Sequence, residues 1–141
     1  MANTRDTLTP FHIALVQRLK QHGVEASFDY NEDEEADENE EGGISFPFVT
    51  FEIPTIGDNA TKTTFGDKPL VVFYIVDAQP TNGRLYDIRA KIIQALEEDL
   101  ILSNNLTCSN QKTDDSGVIR DPESGFRTVR LTYQFYIEGV K

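Results

Sequence analysis

The chain has one cysteine, Cys108, so no intrachain disulfide can form and the sequence suits a reducing compartment. It has two histidines, His12 and His22, ten residues apart on one predicted helix and too far apart for an i, i+4 metal pair. No apolar run approaches membrane-spanning length, and Met1 to Pro10 is polar without a signal-peptide core. Phosphate-cradling glycine loops and nucleophile elbows are absent. Cationic residues are scarce, with 13 Lys and Arg against 24 Asp and Glu and a net charge of -11. Such a chain is a poor electrostatic partner for DNA or an anionic membrane surface. These shortages point to a soluble, cytoplasmically made protein with no cofactor, no membrane partner and no catalytic residues. His12 reads as an ordinary helix-start residue, and Cys108 as a small strand residue.

The acidity itself is local. Asp29, Glu32, Asp33, Glu34, Glu35, Asp37, Glu38, Glu40 and Glu41 crowd into one stretch with no Lys or Arg among them, leaving the rest of the chain at only -2. This stretch, about 29–43 and closed by Gly42-Gly43, reads as an acidic flexible insertion. Asp29, Asn31, Asp33, Glu35, Asp37 and Glu40 occupy the ligand positions of a twelve-residue EF-hand loop and are candidate metal ligands. Against calcium, Glu34 stands where the sharp turn needs glycine, and helices do not flank the loop. A solvated acidic loop explains the same residues.

The clearest structural signal lies at the other end. Val129, Leu131, Tyr133, Phe135 and Ile137 alternate with Thr128, Arg130, Thr132, Gln134 and Glu138, the period of a half-buried strand. Upstream, Phe11, Leu15 and Leu19 mark an N-terminal helix, with Thr9 as N-cap, Pro10 in the first turn and Gly23 as the stop. Val24 to Tyr30 and Ile44 to Pro54 read as strands. Thr55 to Thr61 reads as a polar excursion, and Gly66 to Pro69 as a bend into a strand, Leu70 to Val76, apolar enough to be covered on both faces. Leu85, Ile88, Ile92, Ala95 and Leu96 form the stripe of a second helix, with an Asp87–Lys91 surface pair. Its acidic end, Glu97-Glu98-Asp99, opposes the helix dipole, so packing of Leu96, Leu100 and Ile101 is expected to hold it. Leu106 to Lys112 reads as a strand and Thr113 to Gly125 as a long turn.

The predicted fold is therefore α+β: a single mostly antiparallel sheet with two main helices packed on one face, in one domain spanning 1–141. Carboxylates in the turn, Asp114-Asp115-Ser116-Gly117 and Asp121-Pro122-Glu123, are explained by turn chemistry rather than catalysis. Arg120, Arg127 and Arg130 put fixed positive charge around the last strand. They read either as cross-strand pairs on a polar face or as subunit-interface candidates that meet a neighbour's carboxylates.

The order of elements resembles the tail terminator, or tail completion, proteins of long-tailed bacteriophages, the minor tail protein U-like family. The residues that carry the resemblance are the helix Phe11–Lys20, the Phe46-Pro47-Phe48-Val49 strand, the apolar strand Leu70–Val76 and the helix Leu85–Leu96. Asp114-Asp115-Ser116-Gly117 and the last strand, Leu131-Thr132-Tyr133-Gln134-Phe135, complete it. The acidic insertion departs from the family pattern. The resemblance implies a virion protein of the head–tail interface, assembled in the host cytoplasm. It implies a homo-oligomeric, hexameric ring that caps the tail tube protein, joins it to the head–tail connector protein and lets DNA pass through its lumen without specific binding. Two alternatives stay open: another neck component of similar build, and a calcium-binding module built on the acidic loop.

Overall fold

The computed structural model describes residues 6–28 and 46–140. Two helices and a five-stranded sheet follow in the order α1 (Leu8–Gln21), β1 (Ala26–Phe28), β2 (Phe48–Asp58), β3 (Thr64–Asp77), α2 (Gly83–Ala95), β4 (Thr107–Arg120) and β5 (Arg127–Val140). The spatial order of strands is β1-β2-β3-β5-β4; the β1–β2 pair is parallel and the other three pairs are antiparallel. The α+β class expected from the sequence is the one observed.

β5 sits inside the sheet, between β3 and β4, and its alternation sorts as the sequence predicts. Val129, Leu131, Tyr133, Phe135 and Ile137 are buried, and the residues between them are half-buried. The same face collects Phe51 from β2 and Val71, Phe73 and Ile75 from β3, since directly opposed residues point to one side. Both helices lie over this face. Phe11, Leu15 and Leu19 of α1 and Leu85, Ile92 and Ala95 of α2 share one core with it, and Phe11 meets Phe135 edge to face at 4.9 Å. The opposite face carries no helix among the described residues. Leu70, Tyr74 and Val76 are only half-buried there, with Val72 buried between them, so among the described residues β3 is covered fully on one side and partly on the other, where its continuous apolar run had suggested full cover on two.

The ends of α1 are built from specific contacts. Gly23, at φ +83°, takes the left-handed position past the helix, and Val24 N–H and Gly23 N–H donate to the carbonyls of Leu19 and Lys20. That is a Schellman ending, and Val24 is buried beside it. The start differs from expectation. The helix begins at Leu8, before Thr9, because the Asp6 carboxylate accepts from the N–H groups of Leu8 at 3.0 Å and Thr9 at 3.2 Å. Pro10 then sits within the first turn, where its missing N–H costs nothing.

Two stretches read as loops prove to be strand. β2 continues through Thr55 to Asp58 past an irregularity after Glu52, and β3 starts at Thr64, so residues 66–69 pair instead of bending. Pro54 to Asp58 are all exposed, which removes the apolar signal that marks a strand. Gly66 is required where it is: a Cβ there would lie 1.9 Å from the Ile137 carbonyl oxygen. Likewise β4 runs on to Arg120, and the turn shrinks to Asp121–Phe126. Asp114, Ser116 and Gly117 lie at register shifts of this edge strand, with Gly117 at φ +70°. β1 is three residues long, and the remainder of the predicted Val24–Tyr30 strand, like Ile44 and Ser45, falls outside strand or outside the described residues.

Candidate functional site

At the amino end of α2 the chain gathers its arginines. Asp77, the last residue of β3, is fully buried; Arg84 Nε donates to its Oδ2 at 3.0 Å, and the N–H groups of Ala78 and Gln79 bind its Oδ1. The Arg84 guanidinium holds the Asp77 carboxyl below its usual range. One turn further along α2, Arg89 pairs with Asp115 of β4, Nε to Oδ2 at 2.9 Å, and lowers that carboxyl too. Arg127 of β5 donates from Nη1 to Asn82 Oδ1 at 2.7 Å, while its buried Nε has no partner among the described residues. Arg120 of β4 lies directly opposite Arg127 in the sheet register. Between α2, β4 and β5 opens a cleft of about 660 Å³ lined by Asn82, Tyr86, Arg89, Asp115, Val118 and Val129.

The carboxyl end of α2 has the opposite character. Arg18 of α1 donates to the backbone carbonyls of Ala95 at 2.9 Å, Glu98 at 3.0 Å and Asp99 at 3.2 Å. It thus supplies the positive charge that the helix dipole calls for and that the last turn of α2 lacks. Leu96 and Leu100 are buried as expected, but Ile101 is 86% exposed and holds nothing in place. Glu97, Glu98 and Asp99 are exposed, and no cationic side chain pairs with them among the described residues. A smaller cavity of about 230 Å³ lies beside them, between α1 and Leu100-Ile101.

The sheet leaves two unlike edges. The outer side of β4 and the outer side of β2 beyond Phe51 have no strand partner among the described residues. The helix-free face adds a small aromatic cluster, with Phe46 4.9 Å from Phe126 and 5.5 Å from Phe48. Chemistry is muted by comparison. Burial pushes the Cys108 thiol up to about 12, which keeps it protonated and unreactive, and pushes the Tyr133 hydroxyl to about 12 as well.

No family model and no curated protein matches the chain. Among solved structures, one chain of "Virion of native gene transfer agent (GTA) particle" superposes with a TM-score of 0.72 at 17% identity, covering 95% of this chain and 98% of that one. The two share a fold. A second solved structure, at 8% identity and a TM-score of 0.49, is too distant to bear on it.

The three arginines singled out from the sequence are not on one surface. Arg120 and Arg127 share the helix side, whereas Arg130 lies on the helix-free side, paired with Asp114 at 3.3 Å and opposite Tyr74. The acidic stretch, with the candidate metal ligands Asp29, Asn31, Asp33, Glu35, Asp37 and Glu40 and the loop acids Glu32, Glu34, Glu38 and Glu41, lies outside the described residues. Among the described residues no group of three His, Cys, Asp or Glu side chains is placed to hold a metal, and no helix is long and apolar enough to cross a membrane. The partners Asp77–Arg84 and Arg89–Asp115, together with Arg18, were not found by sequence reasoning. Only the first had a local signal, a buried-strand end followed seven residues later by a cation.

Proposed function

We propose that this chain is a virion structural subunit of a tailed phage-like particle. It closes into a homohexameric ring that terminates the tail tube and joins it to the head connector. The observation that carries the proposal is the whole-chain agreement of its fold, TM-score 0.72 over 95% of the chain, with a chain of a gene transfer agent virion. The order of sequence elements described above adds the terminator role.

The work such a subunit does is geometric. A ring needs a heterologous contact, two different surfaces on each copy that fit one another and close after a fixed number of steps. This chain supplies unlike ends on every side, with two dissimilar sheet edges, a helix-covered face and a helix-free face. Termination follows when the ring offers the tube a bound surface that the tube protein cannot extend. The net charge of -11 suits a conduit for DNA, because like charge repels phosphates and keeps the passage free of sticking. The acidic residues 29–41 belong to that electrostatic role, and tight DNA binding in a low-salt mobility-shift assay would count against it. Tube growth tests the terminator role. Added to polymerising subunits of its own tail tube protein, the chain should cap tubes at one end and limit their length. A ring that binds the connector and leaves tube length unchanged would make it a different neck component.

A further inference from the structure

We infer that the ring contact joins the two ends of α2: Arg120 and Arg127, which stand beside its amino end at Asn82, receive the acidic corner Glu97-Glu98-Asp99 of a second copy of this chain. The assignment rests on the ring proposed above and names the surfaces that would close it.

Each end, taken alone, is electrostatically unfavourable, and the two have opposite sign. Arg120 and Arg127 stand directly opposite each other across β4 and β5, an arrangement in which like charges repel. Neither guanidinium is hydrogen-bonded to a carboxylate among the described residues: Arg127 binds the neutral Asn82 amide and leaves its buried Nε unpartnered there, and Arg120 feels only the field of its neighbour Asp121, whose oxygens are bonded within their own turn. The nearby carboxylates are already engaged. Asp77 is taken by Arg84 and two backbone N–H groups, Asp115 by Arg89, and Asp121 by its own turn. At the far end, three adjacent carboxylates sit just past a helix carboxyl terminus, where negative charge is disfavoured. Arg18 does not neutralise their side chains, because its guanidinium is spent on the backbone carbonyls of the same corner. That clamp instead fixes the corner and presents the three acids outward, beside the exposed Ile101.

The two ends are about 20 Å apart along the thirteen-residue helix, so Glu97, Glu98 and Asp99 do not reach the arginines of their own copy. A second copy placed head to tail brings carboxylates to these guanidiniums and leaves its own Arg120 and Arg127 open for a third. Repetition of that step is the heterologous contact that rings require.

Charge reversal tests it on the full-length protein. Arg120→Glu is preferred to a change at Arg127, which holds Asn82; the acidic variant is Glu97→Lys with Glu98→Lys. Circular dichroism and thermal melts confirm that each variant folds. Each variant alone should associate at least about tenfold more weakly than the parent protein by light scattering, as expected for loss of close charge pairs across an interface. An equimolar mixture should reassemble, because each variant then offers the end that its partner lacks. Parent rings with variant rings of equal strength would overturn the contact and leave the ring standing. A mixture that stays dissociated would also overturn it. No assembly of the parent protein at any concentration would overturn the ring itself.

Discussion

β5 and β4 are antiparallel neighbours of fourteen residues each, yet the molecule uses them in opposite ways. β5 is bonded on both sides and buries every second side chain from Val129 to Ile137 under two helices. β4 is bonded only to β5, buries Cys108 alone, and twice breaks register. Cohesion is concentrated where a strand has neighbours on both sides and a layer above. The edge keeps charge and irregularity, which blunt it against random pairing and leave it available for a specific partner.

The sharpest way to break this contrast is to remove equal chemistry from the two strands. Phe135→Ala, which empties a fully buried site against Phe11, should cost about 3–5 kcal/mol in chemical denaturation. An effect below 1 kcal/mol would show that the core is not centred on β5. Next comes Gly66→Ala, where the added methyl meets the Ile137 carbonyl of β5; a loss of about 1–3 kcal/mol is expected, read from the midpoint of the same denaturation curve. Smallest is Ile119→Ala on β4, half-exposed on the helix-free face, which should change stability by no more than about 0.5 kcal/mol.

Between these lies a test of the strand ends by pH. Asp77 is buried with its carboxyl lowered by Arg84, so its ionised form is favoured in the folded protein. Its stabilising contribution is complete above the ordinary carboxylate range, about pH 4, and is lost as pH falls through the lower folded-state value. Asp77→Asn should therefore be less stable at pH 7, by about 1–3 kcal/mol for the hydrogen bonds that it weakens, and should flatten the acid limb of a stability–pH profile. An unchanged acid limb would mean that Asp77 is not what ties β3 to α2.

The same contrast explains what could be read in advance. β5 was legible because one face meets a core and the other does not, which writes period two into Val129 to Ile137. β4 beyond Lys112 was not, because both its faces are largely exposed and Asp114, Ser116 and Gly117 carry turn chemistry that here serves edge irregularities. The tip of β2 failed for the same reason. The α2 stripe was legible and its stabilising partner was not: the three carbonyls at its end are held by Arg18, more than seventy residues earlier, and no local pattern announces such a contact. The arginines of the last strand were visible as a group, but only the register separates Arg130 from Arg120 and Arg127.

Self-assembly is tested most directly by the mass of the purified protein across concentration and salt, with electron micrographs of the same samples. Six-fold rings that weaken as salt screens the charged ends are the predicted result. A protein that stays monomeric to its highest soluble concentration at low salt would contradict it.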